Sequence, residues 1–188
     1  VRQLRELKLQ IPCFDTSCDI SSADCRLEDL QVLMEVAHNT KVPYVVACAL
    51  TENEELVGEN LEKLLPVAET AGVSLLLKTS GIYADTARLR SMLESFASDW
   101  LGALWDMHHP YRDFGESADT TIKNLGTYVK HVHLRDSDDA NTYNLIGEGN
   151  MPVADMIRAL GSINYDGFVS LEWKPEWMED LQDKEIIF

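Results

Sequence analysis

Six short runs of apolar, β-branched or aromatic residues, each followed by a longer stretch of helical periodicity, limit most strongly what this 188-residue chain can form. The runs are Leu9–Phe14, Tyr44–Leu50, Val73–Lys78, Gly102–Met107, Tyr128–Leu134 and Phe168–Trp173. Between them, Leu27–His38 aligns Leu27, Leu30, Leu33, Met34 and Ala37 on one helical face, and Asn60–Ala71 aligns Leu61, Leu64, Leu65 and Ala68. Thr86–Phe96 and Val153–Leu160 read the same way, and Arg2–Lys8 reads as a leading helix. The boundaries carry their usual signals. Asp85 stands at a helix start, Pro152 opens the last helix, Gly72 closes another, and Asp166-Gly167 turns the chain into the final run.

Strands and helices alternating at spacings of about 25 to 35 residues predict right-handed βαβ units and a parallel sheet, the α/β class. A closed barrel of eight such units needs ~250 residues. The expectation is therefore one domain over residues 1–188, a (β/α) barrel holding strands three to eight, with the first two units absent. The start at Val1 rather than at a methionine points the same way. The alternative is a complete, open six-stranded sheet. A partial barrel leaves strand edges and apolar side chains uncovered, so a homo-oligomer or additional protein is expected to cover them.

The chain holds 32 acidic and 16 basic residues, a formal net charge of −16. Long-range electrostatics then repel a phosphate backbone or an anionic membrane, so neither nucleic acid nor a membrane is an expected partner. No apolar run approaches the ~20 residues of a membrane-spanning helix. Cys13, Cys18, Cys25 and Cys48 lack the spacing of a zinc or redox motif and read as free thiols, which suits a cytoplasmic location.

In a parallel α/β barrel the chemistry lies where strands end. Here the strand ends are polar: Asp106-Met107-His108-His109, then His131-Val132-His133-Leu134-Arg135-Asp136, then Leu171-Glu172-Trp173-Lys174. Alternation puts His131, His133 and Arg135 on one face, and Glu172 on the face opposite Leu171 and Trp173. Two carboxylates and an imidazole from three successive strands can then converge. Oxygen donors with one imidazole suit Mn²⁺, Mg²⁺ or Co²⁺, with Zn²⁺ as a further option. Singly, each residue reads as a cap, a surface group or a solvated acid. Together in one barrel mouth they would repel one another without a cation.

The runs Leu104-Trp105-Asp106-Met107-His108-His109-Pro110, His131-Val132-His133-Leu134-Arg135-Asp136, Gly147-Glu148-Gly149, Tyr165-Asp166-Gly167-Phe168 and Ser170-Leu171-Glu172-Trp173 resemble the sugar phosphate isomerase/epimerase group. That group belongs to the xylose-isomerase-like (AP endonuclease family 2) TIM barrels, with ketose 3-epimerases, inosose dehydratases and apurinic-site endonucleases. The resemblance implies a metal held by a Glu on strand five, an Asp on strand six, a His on strand seven and a Glu on strand eight. Asp106, His133 and Glu172 match the last three. It further implies that His109 contacts substrate oxygens, with Arg135 as a second contact to hydroxyls or a phosphate. Where the pattern has its first Glu, this chain has Lys78.

The implied activity is proton transfer next to a carbonyl in a sugar or sugar phosphate, with Glu172 as one acid–base group and Lys78, if its pKa falls, as the other. An inosose-dehydratase-like lyase uses the same parts. An endonuclease needs an electropositive groove, against which the charge weighs. A non-catalytic sugar-binding barrel, with the Lys78 ammonium in place of the metal, is the rival outside enzymes.

Overall fold

Apolar strand faces need cover, and here helices supply it on one side of the sheet. The computed structural model describes residues 2–173. Its strands are β1 (Phe14–Asp19), β2 (Tyr44–Cys48), β3 (Ser74–Lys78), β4 (Leu101–Asp106), β5 (Val129–Leu134), a short hairpin of β6 (Asp136–Ser137) and β7 (Tyr143–Asn144), and β8 (Val169–Leu171). Its α-helices are α1 (Arg2–Glu6), α2 (Leu27–Thr40), α3 (Glu54–Ala71), α4 (Thr86–Phe96), α5 (His108–Arg112), α6 (Ala118–Leu125) and α7 (Val153–Ser162). The main sheet runs β1-β2-β3-β4-β5-β8, all neighbours parallel, and curls into a half-barrel.

The first strand lies five residues later than the apolar run suggests. Leu9–Ile11 is coil, and Pro12 lacks the N–H that a strand at Leu9–Phe14 would need. β1 is an edge strand of mixed polarity, Phe14-Asp15-Thr16-Ser17-Cys18-Asp19, so hydrophobicity did not mark it. α3 begins six residues before the apolar stripe of Asn60–Ala71, because the Asn53 side chain caps it by accepting from the Leu56 N–H at 3.2 Å. The cap Asp85, which accepts from the N–H groups of Ala87 and Arg88, and the left-handed Gly72 (φ 64°) stand where the sequence puts them. Helices α5 and α6 and the β6–β7 hairpin are additions to that reading.

The sheet separates two apolar regions. Val45, Ala47, Leu75, Leu77, Ala103, Trp105 and Val132 face the helices within the large core. Val46, Leu76 and Leu104 form a small cluster on the concave face, joined by Cys13 and Tyr44. Gly102 belongs to this crowded interior: a Cβ there would stand 3.0 to 3.1 Å from Lys130, Leu76 and Tyr128. The β4–β5 register shifts, pairing Ala103 with Val129 but Leu104 with His131. The extra residue, Lys130, lets Val129 join the helix-facing core while His131 and His133 turn to the concave side.

Among the described residues β1 and β8 have a neighbour on one side only. A cavity of about 570 Å³ opens at the lower end of the half-barrel, lined by Leu9, Ile11, Pro12, Tyr44, His131 and Phe168. Leu9 and Phe168 are 57% and 51% exposed. One expectation needs correcting: Cys18 and Cys25 are joined as a disulfide across the β1–α2 connection, leaving Cys13 and Cys48 as the free thiols. Neutral spacing statistics cannot reveal that the turn after β1 folds these two back on each other.

Candidate active site

At the C-terminal ends of β3, β4, β5 and β8, the side chains of Lys78, Asp106, His133, Arg135 and Glu172 meet. Asp106 and His133 are level across the β4–β5 pair, and the Glu172 N–H donates to the Leu134 carbonyl at 2.9 Å. Thr79 fixes the level of β4 against β3, accepting from the Asp106 N–H at 2.9 Å and donating to the Asp106 carbonyl at 3.1 Å. Asp106 is fully buried, and one of its carboxylate oxygens accepts from the His108 N–H at 3.0 Å. The other receives Arg135 Nη2 at 2.9 Å and lies 3.3 Å from Lys78 Nζ.

Lys78 is the hub. Its Nζ also lies 3.6 Å from Glu172 Oε2 and 3.6 Å from Asp15 Oδ2. Burial pushes the ammonium pKa down, but Asp106, Asp15 and Glu172 outweigh it and the net shift is upward. The fall in pKa that would make Lys78 a neutral base is therefore not what its surroundings produce. Burial likewise raises the Glu172 carboxyl, yet His133, Lys78 and Arg135 overcome it and hold the group well below the usual carboxylate range. Arg135 Nη1 is 3.5 Å and His133 Nδ1 3.6 Å from Glu172 Oε2.

His109 lies beside this cluster on α5. Arg135 Nη2 lies 2.6 Å from its Nε2, and its Nδ1 lies 2.6 Å from Asp113 Oδ2. Asp15 was not anticipated as a member. It sits on β1, the strand misplaced by the apolar run, and its signal was the polar residue after Phe14 in an otherwise extended stretch.

The β6–β7 hairpin closes one side. Asp136 is buried and accepts from the N–H groups of Ser137, Gly147, Gly149 and Met151, so the Gly147-Glu148-Gly149 run is a loop wrapped on one carboxylate. A Cβ at Gly149 would collide with that carboxylate. Arg112 bonds Ser137 and Asn150 from α5. Next to Arg135 and Glu172 lies a cavity of about 190 Å³, lined also by Tyr143, Asn144, Glu148 and Trp173. Among the described residues, Asn144 Oδ1 and Trp173 Nε1 are buried without a hydrogen-bond partner.

His108 is 3% exposed, with Nε2 3.1 Å from Ser137 Oγ. Burial, then the charges of Arg135 and His109, push its pKa down to about 4 from 6.5. An unfolded chain binds this proton below 6.5 and the folded one does not, so stability falls as pH drops from 6.5 towards 4. We expect His108→Asn to flatten the melting temperature against pH across that window. An unchanged slope would contradict the assignment.

The donors test a resident divalent ion directly. Asp106, His133 and Glu172 offer ligand atoms all within 4.8 Å of one another, and His133 Nδ1 and Glu172 Oε2 have no hydrogen-bond partner among the described residues. In kind and proximity they suit such an ion. Lys78 does not: its ammonium already stands among the same carboxylates, and a divalent cation there would be repelled.

Comparison with known proteins agrees with this architecture. The family model for the xylose isomerase-like TIM barrel matches residues 1–186. A fructoselysine 3-epimerase of Escherichia coli O157:H7 is 26% identical over 168 residues, 82% of this chain and 61% of that protein. The chain thus spans less than two thirds of that relative. A solved D-tagatose 3-epimerase-like protein superposes with a TM-score of 0.78 at 20% identity, covering 99% of this chain and 81% of its own. A xylose isomerase-like TIM barrel protein from Mycobacterium smegmatis, solved in complex with magnesium, superposes at 0.65 with 19% identity, covering 90% of this chain and 68% of its own. With parallel strands curled into a half-barrel, polar groups gathered at their C-terminal ends and a family match along nearly the whole sequence, the chain belongs to the xylose isomerase-like TIM barrel family.

Proposed function

We propose that the chain carries the site of a sugar isomerase or epimerase, moving a proton at a carbon next to a carbonyl. The observation that carries this reading is the meeting of Lys78, Asp106, His133, Arg135 and Glu172 at one end of the sheet. The relatives named as 3-epimerases support it. Glu172 is the carboxylate that accepts the proton. Held so acidic it is a weak base, so the substrate must take over part of its pairing with Lys78 and Arg135 first. Those two cations are placed to stabilise negative charge developing on the carbonyl oxygen, and Lys78, kept protonated, can return a proton. His109 and Arg135 contact hydroxyls, and the orphaned Asn144 and Trp173 atoms offer an acceptor and a donor to the rest of the sugar.

Arg135 is the cation lining this cavity and is already bound to Asp106, while Glu148 adds negative charge. An uncharged sugar fits this lining better than a phosphorylated one. A divalent ion (Mn²⁺, Mg²⁺, Co²⁺ or Zn²⁺) would be held by Asp106, His133 and Glu172, and would polarise the substrate oxygens when bound. The magnesium complex of the Mycobacterium smegmatis protein favours that arrangement, which requires Lys78 to leave the carboxylates or lose its charge. A cytoplasmic location belongs to the same proposal, with the Cys18–Cys25 pair as the observation against it.

The triple pairing of Lys78 also favours a second reading, a sugar-binding barrel without catalysis. Incubation with D-tagatose, D-psicose and fructoselysine in D₂O separates the two. Catalysis yields the epimer with deuterium at the inverted carbon by NMR. Saturable binding with no exchange identifies a binding protein.

A further inference from the structure

A second group of potential ligands shares His133 with the carboxylate cluster. We propose that Cys13 and His131, together with His133 from the edge of the carboxylate cluster, form a second metal site of sulfur and nitrogen donors, suited to Zn²⁺ or Co²⁺, on the concave face, with Cys13 and His131 one same-face step below Asp15 and His133. Each of the three offers a ligand atom within 4.8 Å of the others. Cys13 precedes Asp15 by two residues as His131 precedes His133, so both sets repeat at the two-residue period of a strand.

The two imidazoles are what point to a ligand. His131 and His133 are 1% and 6% exposed, and Nδ1 of each has no hydrogen-bond partner among the described residues. An orphaned buried nitrogen is costly; an ion shared with the Cys13 thiol would satisfy His131 Nδ1 and would draw on His133, whose Nδ1 lies 3.6 Å from Glu172 Oε2 and 3.8 Å from Asp15 Oδ2. His131 is also held as metal-binding histidines are. Its Nε2 lies 3.0 Å from Ser170 Oγ on β8, which fixes the ring and leaves Nδ1 as the free donor. The rings of His131 and His133 meet edge to face at 5.3 Å.

Competition decides between the neighbouring clusters. The carboxylates are already paired with Lys78 and Arg135, whereas Cys13 is a free thiol. The other histidine group, His108, His109 and Asp113, is taken up internally, since both nitrogens of His109 are bonded. Thiolate and imidazole are the donors that zinc-class ions prefer over magnesium. Three protein ligands leave a coordination position for water or another small donor.

Cobalt titration of the whole chain tests this, because a thiolate ligand gives Co²⁺ a near-ultraviolet charge-transfer band that carboxylates and imidazoles do not. The band is expected to grow to saturation, to persist in Glu172→Gln, and to disappear in Cys13→Ser. No band in the unmodified chain, or one that survives in folded Cys13→Ser, overturns the site. If Cys13→Ser does not fold, alkylation of Cys13 in the unmodified protein decides instead. Saturating Zn²⁺ is expected to protect the thiol, and an unchanged alkylation rate overturns the proposal.

Discussion

Glu172→Gln is expected to lower the rate of epimerisation or isomerisation by about 10²–10⁴-fold, the range for loss of a positioned acid–base group. The amide keeps the shape of the carboxylate and cannot accept the proton. It also releases His133, Lys78 and Arg135 from a charge they share. Circular dichroism should stay close to that of the unmodified chain, and the melting temperature should fall because the paired cations lose a carboxylate, so turnover is compared at a temperature where the variant is folded. The loss should appear in kcat more than in KM, because the group acts in the transition state. A variant with undiminished turnover would remove Glu172 from the mechanism, and one that no longer folds would make it a structural ion.

The second large effect concerns Lys78. Lys78→Met leaves Asp106, Asp15 and Glu172 close together, with Arg135 paired to Asp106 and Glu172 as the remaining nearby cation with described ion pairs. Breaking a fully buried ion pair costs ~3–5 kcal/mol. Asp15 and Glu172 keep 32% and 18% side-chain exposure, so the expected loss is smaller, about 2–3 kcal/mol. Urea unfolding gives the value. Millimolar Mg²⁺ should restore part of it in the variant and little in the unmodified chain, since a cation then replaces a cation. A variant as stable as the parent would mean that the three carboxylates do not depend on Lys78.

The parts of this molecule that were legible in the sequence share a physical origin. Strands β2 to β5 are buried between helices and a curled interior, so their apolar runs stand out, and Asp85 and Gly72 mark helix ends by chemistry that needs no tertiary context. The gathering of polar groups at the ends of β4, β5 and β8 was legible because several ionisable groups recur at strand ends. β1 was not, because an edge strand can be polar and a run containing Pro12 drew attention away from it. Asp15 was lost with that strand. The Arg112 anchor of the hairpin and the loop wound on Asp136 depend on contacts far apart in sequence, which periodicity does not report. The direction of the Lys78 shift was equally hidden, since it depends on how many carboxylates surround the ammonium.

In the site proposed above, the ammonium of Lys78 holds the position that the resemblance to the family gives to a metal ligand. Mg²⁺ titration by calorimetry on the unmodified chain and on Lys78→Glu, each near pH 7 and pH 9, measures this most directly. Magnesium favours oxygen donors and so reports on the carboxylates rather than on a sulfur and nitrogen site. Because the Lys78 pKa is raised from 10.5, the lysine stays charged at both pH values, and the unmodified chain is expected to bind weakly at each. Its affinity should rise above that pH range. Lys78→Glu should bind Mg²⁺ at both, having exchanged a competing cation for a fourth ligand. Tight Mg²⁺ binding by the unmodified chain, with no gain from Lys78→Glu, would contradict the account.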